Sequence, residues 1–251
     1  MAELKLPTEM VSLPSKGLLY PKESPLAKGE IEMKYMTAKE EDILTNSNFI
    51  RQGTVIDKLL QALIVTPFNY DDLLIGDKNA VLIAARVLGY GAEYSFTYSN
   101  GKGKEQEATV DLSKLEEKPM DESLYKNGNN FTFALPKSGN TITFKLLTHG
   151  DEKKIDQEIK GLQKVNPNGS YDITTRLKHM ITSVNGDSEQ KSIRDFVDNY
   201  LLAPDARALR EYYAKIQPDI EMKFIPEDEN YTGEGITVPI SLNFFWPDSG
   251  V

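Results

Sequence analysis

The two histidines, His149 and His179, are the only imidazole side chains in the chain, so histidine chemistry would have to use one of them. His149 lies where a predicted strand passes into a predicted helix, and His179 lies on a predicted helix beside Lys178. Neither has a cysteine or a carboxylate at the spacing typical of a metal site. The sequence also lacks the Gly-x-Ser-x-Gly elbow of a serine nucleophile. We therefore predict no metal site and no nucleophilic catalysis.

Neighbouring carboxylates could act as general acid and base, and they occur at Glu40–Asp42 and at Asp71–Asp72. Both groups fall at predicted helix starts, where the helix dipole favours negative charge. A structural role is therefore sufficient to explain them.

Two loops superficially suggest ligand binding. The Gly-Lys-Gly-Lys run at 101–104 lacks the spacing of a phosphate-binding loop and lies in a predicted hairpin, not before a helix. Asp228, Asn230 and Gly233 resemble part of a calcium loop, but Pro239 stands where the pattern needs a glutamate. We predict no catalytic residues, no cofactor and no small-molecule substrate.

The composition narrows the class of protein. There is no cysteine, which excludes disulfides and thiolate metal sites and fits synthesis in a reducing compartment. The 29 basic and 38 acidic residues give a formal charge of −9, so nucleic acid is not an expected partner. No apolar run approaches the roughly 20 residues of a membrane span, and no secretory signal is expected.

Residues 1–36 are predicted to form an extended arm, because Pro and Gly recur too often for a helix or a central strand. We expect this arm to be dispensable for folding and to offer apolar anchors to a neighbouring protein. The anchors are Leu13, Pro14, Leu18, Leu19 and Tyr20.

Residues 37–148 are predicted to form a helical block followed by β-hairpins. Thr37 and Glu40 have the spacing of a capping box at a helix start. Apolar residues at helical spacing indicate further helices after Thr54 and from Asp77. The alternation then changes to period two on both sides of a turn at 100–101, and a second hairpin is expected between 131 and 146.

Residues 149–251 are predicted to repeat this order, with four helices and a C-terminal hairpin. Alternation from Ile236 to Trp246 predicts a long strand, and Pro239 makes it an edge strand. Core packing explains Phe244 and Trp246, whereas Phe245 faces the other way and needs a cover from this chain or a partner. We assign Phe244, Phe245 and Trp246 to partner binding and expect an α+β fold overall.

Four segments together resemble the baseplate hub assembly proteins of T-even-type contractile-tailed bacteriophages. They are Leu13–Gly17 with Tyr20–Pro21, Met36–Leu44, Asp71–Asp77 continuing through Arg86–Gly91, and Phe244–Asp248. The resemblance implies a non-enzymatic baseplate hub component or assembly factor whose partners are other baseplate or hub proteins. It implies residence in the host cytoplasm during assembly and a place in the tail baseplate if the protein stays in the virion.

Two alternatives of a different class stay open. One is a transient tail-assembly chaperone that is absent from the mature virion. The other is an unrecognised enzyme, which ranks last because the sequence contains no convergent polar cluster.

Overall fold

The computed structural model describes residues 6–99, 105–225, 235–240 and 244–245. These residues form eight α-helices and four small antiparallel sheets, which confirms the α+β class. The predicted turn at 100–101, the acidic turn around residue 228 and Trp246 lie outside the described residues. No helix in the described ranges is long and apolar enough to cross a membrane.

The N-terminal segment is folded. Strand β1 (Thr8–Ser12) pairs antiparallel with β2 (Glu30–Lys34), and a short 3-10 helix (Pro25–Lys28) lies between them. Ile31 and Met33 on β2 are fully buried because alternate residues of a strand share one face.

Four helices follow in the first helical block. They are α1 (Ala38–Leu44), α2 (Ser47–Gln52), α3 (Val55–Leu63) and α4 (Ile75–Tyr90). The predicted capping box is confirmed, since the Glu40 carboxylate accepts hydrogen bonds from the N–H and the hydroxyl of Thr37 at 3.0 and 2.6 Å. Strands β3 (Glu93–Ser99) and β4 (Glu105–Asp111) then form the first predicted hairpin.

A three-stranded sheet joins the two predicted blocks. Strands β5 (Phe131–Ala134) and β6 (Thr141–Phe144) form the second predicted hairpin, and β7 (Ile181–Val184) pairs with the free side of β6. Strand β7 was not predicted, because it follows a helix directly and its Ile181 continues the apolar pattern of that helix. The sheet therefore contains strands from both sides of the proposed 148/149 boundary.

Four helices form the second helical block, as predicted. They are α5 (His149–Val165), α6 (Asp172–Met180), α7 (Gln190–Asn199) and α8 (Ala203–Ile216). Pro204 stands in the first turn of α8, where its missing N–H leaves no helical hydrogen bond unmade.

The prediction of a long C-terminal strand is wrong within the described residues. Strands β8 (Lys223–Phe224) and β9 (Ile236–Thr237) form only a two-residue pair, and the chain from Val238 to Ile240 is not strand. Beyond β9, the Tyr94 hydroxyl donates to the carbonyl of Pro239 at 3.0 Å. In the described residues the β8–β9 pairing extends only to the hydrogen bond from the Val238 N–H to the Met222 carbonyl at 2.9 Å, and the chain is then held against β3.

One continuous cluster of buried side chains occupies the interior. It takes Leu13 and Leu26 from the N-terminal segment, Val81 from α4, Phe144 from β6 and Leu209 from α8. All three segments predicted from the sequence contribute to it, so they share a core. The boundaries themselves stay a prediction.

The second helical block is crosslinked by Glu158 of α5. Arg194 of α7 donates hydrogen bonds to both Glu158 carboxylate oxygens at 2.6 and 3.0 Å, and His179 of α6 lies 3.0 Å from one of them. The Arg194 hydrogen bonds hold the pKa of Glu158 at about 2, below its ordinary value of 4.5.

We expect the free energy of unfolding to depend on pH through Glu158. Because its pKa is lowered in the folded state, its contribution is present above pH 4.5 and is lost as the pH falls toward about 2. The Glu158→Gln variant should be less stable than the wild type above pH 4.5, and the difference should shrink on acidification. Urea unfolding at a series of pH values measures it, with Glu211→Gln at an exposed pair as control. A difference independent of pH would contradict the assignment.

Candidate functional site

Two of the segments that carry the family resemblance meet inside the molecule. The turn at 13–20 lies against the first turn of α4, where the Asp77 side chain is buried with 1% of its surface exposed. The Asp77 carboxylate accepts hydrogen bonds from the Ser15 N–H at 2.9 Å, the Ser15 hydroxyl at 2.7 Å and the Tyr20 hydroxyl at 2.6 Å. We call this arrangement the Asp77 clasp.

Tyr20 extends the clasp to the end of the helix. Its hydroxyl accepts a hydrogen bond from the Leu74 N–H at 3.0 Å while donating to Asp77. Leu74 is the N-cap residue of α4, and the tyrosine oxygen gives its N–H the acceptor that an N3 side chain supplies in a capping box.

All three donors to Asp77 are neutral groups. Burial raises the pKa of Asp77 above its ordinary value, and the hydrogen bonds from Tyr20 and Ser15 oppose that rise. Burial and the Asp77 charge likewise raise the pKa of Tyr20. A buried carboxylate that lost these donors would be left without compensation for its lost hydration, so the clasp has a large structural effect.

The turn at 13–20 can lie this close to α4 only because of its backbone conformation, which restricts the residue types at two positions. Lys16 and Gly17 both have positive φ, at 50° and 75°. A Cβ atom on Gly17 would lie 2.4 Å from the carbonyl oxygen of Ala27, so the glycine is required by space as well as by conformation.

Gly76 connects the same junction to the second helical block. A Cβ atom at Gly76 would lie 1.7 Å from the carbonyl oxygen of Pro218, which follows α8. Nearby, the Asn79 amide donates to the Asp219 carboxylate at 2.9 Å. The start of α4 is therefore the place where the N-terminal turn and the chain after α8 come together.

The side chains predicted to bind a partner are mostly internal. Leu13, Pro14, Leu19, Tyr20, Phe244 and Phe245 are buried in the chain itself. The structure thus disagrees with the expectation that the arm is dispensable for folding and offers these side chains to a neighbouring protein, because they complete the core of the chain itself. Leu18 alone of the arm anchors is exposed, at 40% of its surface, and its binding role stays a prediction.

Phe244 and Phe245 both lie in the core, so neither one forms a separate docking face. Both rings are fully buried and meet edge to face, with centroids 5.3 Å apart, and Phe244 also packs edge to face on Tyr94 at 4.9 Å. The cover that Phe245 needs thus comes from this chain. Trp246, the third member of the predicted surface, lies outside the described residues.

A small surface surrounds Leu18. The Lys16 ammonium forms an ion pair with Glu122 at 2.7 Å, which brings the turn close to the 3-10 helix Glu122–Tyr125. Leu124 in that helix is 38% exposed. Leu18 and Leu124 are consequently two accessible apolar side chains on neighbouring loops.

One polar cluster has the residue types of an active site. The Lys78 ammonium donates to Asp57 at 2.6 Å and lies 3.1 Å from Nδ1 of His149, while Nε2 of His149 lies 3.6 Å from Asp57. Burial and the Lys78 charge lower the pKa of His149. Tyr70 packs edge to face on the imidazole at 4.7 Å and donates to Asp57 at 3.1 Å. The reactive atoms of the cluster are thus engaged with one another.

A second question is whether the protein contains a cluster of metal ligands. In the part of the chain that the structure describes, no group of three His, Asp or Glu side chains is arranged to hold a metal ion.

An apolar groove opens between α6 and α8, with a volume of about 310 Å³. Its walls include Ile173, Leu177, Met180 and Tyr213, and Ile173 is 49% exposed. The Arg210 guanidinium lies at the groove and donates to the carbonyl of Ala206 in its own helix. The groove is therefore mainly hydrophobic with charge at its margin.

Comparison with known proteins supplies the decisive observation. The family model described as T4 bacteriophage base plate protein matches residues 13–203, which is most of the chain. This chain belongs to that family. Comparison with curated proteins found no match, and comparison with solved structures found none either. The resemblance proposed from the sequence is thus confirmed at the level of a phage baseplate protein.

The match begins at Leu13, the first residue of the turn that reaches Asp77. In this baseplate protein, Ser15, Tyr20 and Asp77 lie in segments that carry the resemblance, but nothing in their spacing pairs them with one another. The helix dipole alone explains an acidic residue in the first turn of a helix, so no local signal in the sequence pairs Asp77 with Ser15 or Tyr20.

We expect the Tyr20 hydroxyl to stabilise the baseplate protein strongly. Tyr20→Phe removes the donor to buried Asp77 and the acceptor for Leu74, and should lower the free energy of unfolding by about 1–3 kcal/mol. Chemical unfolding followed by circular dichroism measures the change. Tyr35→Phe is the matched control, because its hydroxyl also donates to a carboxylate, that of Glu9, but at the surface. Equal stability of the two variants would contradict a structural role for the clasp.

Proposed function

We propose that this baseplate protein is a component or assembly factor of the baseplate hub and acts through contacts with other phage proteins, without catalysis. The observation that carries the proposal is the position of the family residues. Ser15, Tyr20 and Asp77 lie in segments that resemble the family, and they bond to one another in the interior, so these segments shape the fold and do not line a cleft. An active site would instead need polar groups that converge on a cleft.

The surface supports a binding role. Several large apolar side chains are exposed on the described residues, and a protein that assembles with others can cover such side chains. They include Met10, Leu18, Leu124, Ile173, Tyr200 and Leu202. Of these side chains, Leu18 and Leu124 lie on neighbouring loops, and Ile173 lines the groove between α6 and α8.

An enzyme is the weaker candidate, and the cluster around His149 is the feature in its favour. A general base needs a free lone pair directed at a substrate proton. The Nδ1 atom of His149 already faces the Lys78 ammonium, and the Asp57 carboxylate accepts from both Lys78 and Tyr70. This pattern favours a satisfied structural cluster that ties α3, α4 and α5 together.

A transient chaperone is the second alternative, and it differs from a component only in whether the protein stays in the particle. Mass spectrometry of purified phage tails separates the two. A fixed number of copies per tail supports a component. Association with hub precursors together with absence from finished tails supports a chaperone.

We expect the His149 cluster to be unnecessary for assembly beyond its effect on stability. His149→Gln keeps an acceptor for Lys78 but removes the imidazole. A phage lacking its own copy of the gene should regain infectious particles when this variant is supplied from a plasmid, at the yield given by the wild type. Lys78→Gln tests the second group, and thermal unfolding of each purified variant controls for folding. A folded variant that fails to restore particles would contradict the non-catalytic proposal.

A further inference from the structure

The outer edge of β1 carries backbone groups without partners. Leu13 N–H donates to the carbonyl of Gly29, and Tyr35 N–H donates to the carbonyl of Pro7, so odd-numbered residues of this strand face β2. In an antiparallel pair the residues between them direct their N–H and C=O groups away from the partner strand. Those residues are Thr8, Met10 and Ser12, and no described residue bonds their backbone groups on that side.

An apolar groove runs beside this edge. It lies between β1 and α4, has a volume of about 250 Å³, and is lined by Met10, Val11, Ala80, Ile83 and Val87, with Leu115 at one side. Met10 is 56% exposed. An extended chain laid along β1 would therefore find backbone groups to bond and apolar surface for alternate side chains.

The margin of the groove is acidic. Glu9 lines it directly, and the exposed Glu116 and Glu117 follow Leu115 in the chain. Lys114 pairs with Asp111 at 3.3 Å, whereas Lys118 donates to the neutral carbonyl of Ala214 and keeps its charge. Three carboxylates against this one unpaired ammonium leave a net negative charge at the edge.

We infer that the β1 edge is a docking site for an extended segment of another protein, which adds as a strand and carries basic side chains opposite the acidic margin. The inference rests on the proposed function in taking the occupant to be a protein partner. A second copy of this chain is disfavoured, because it would bring a second acidic margin against the first.

Peptides of about nine residues test the site, since that length covers the strand and its flanks. The probe alternates Lys and Val, its acidic twin alternates Glu and Val, and a third peptide is the basic probe with a central proline. Fluorescence anisotropy with the full chain measures affinity, and hydrogen exchange reports the amides of Thr8, Met10 and Ser12. The basic peptide should bind at least about tenfold more tightly than both others and should slow exchange at those amides.

Two variants locate the binding. Met10→Pro removes an outward N–H without breaking the pairing with β2, so it should keep the melting temperature and weaken the basic peptide about tenfold. Glu9→Lys should also weaken it, whereas Asp156→Lys, an exposed charge reversal on α5, should not. Equal binding by Met10→Pro, equal binding of the acidic peptide, or no slowing of exchange would overturn the inference. A wild-type dimer that Met10→Pro converts to a monomer would instead identify a second copy as the occupant.

This outcome is distinguishable from failure of the proposed function. The peptide experiment involves no phage particles, so a negative result leaves a role in the baseplate standing. Conversely, a chain that binds the basic peptide but never associates with tails or hub precursors would retain the docking site and lose the proposed function.

Discussion

A carboxylate that is buried without a cation requires hydrogen-bond donors, and this requirement at Asp77 determines how the rest of the molecule is arranged. All three donors come from the N-terminal turn, through Ser15 and Tyr20. Because Tyr20 also bonds the first residue before α4, the turn and the helix start form one unit. The contact of Gly76 with Pro218 adds the chain after α8, so segments far apart in sequence are fixed around one helix end.

Features that depend on neighbouring residues were predictable from the sequence. The capping box of Thr37 and Glu40, the hairpin from Phe131 to Phe144 and the start of α8 at Pro204 each rest on local chemistry. The Asp77 clasp was not predictable, since Ser15 and Asp77 are 62 residues apart and their pairing leaves no periodic pattern. The contribution of the N-terminal arm to the core was not predictable for a similar reason. Proline and glycine indicate turns, but they do not show whether the side chains of those turns are buried or exposed.

The C-terminal prediction failed for a different reason. Alternation between Ile236 and Trp246 indicates a strand only if a neighbouring strand continues beside it. Here β8 has two residues, and Tyr94 bonds the carbonyl of Pro239, so Phe244 and Phe245 pack as an aromatic pair in the core. The residues predicted to bind a partner do have apolar side chains with a structural role. The sequence alone could not show whether each one lies in the core or at the surface. Residues that stay accessible, such as Leu18 and Met10, are recognised only once the neighbours of each side chain are known.

The N-terminal segment is a structural part of the baseplate protein. Thermal unfolding of a chain that lacks residues 1–28, compared with the full-length chain, tests it most directly. We expect the shortened protein to lose its cooperative transition, because Asp77 loses its donors and the core loses Leu13, Leu19 and Leu26. A sharp transition near the melting temperature of the full-length chain would contradict it.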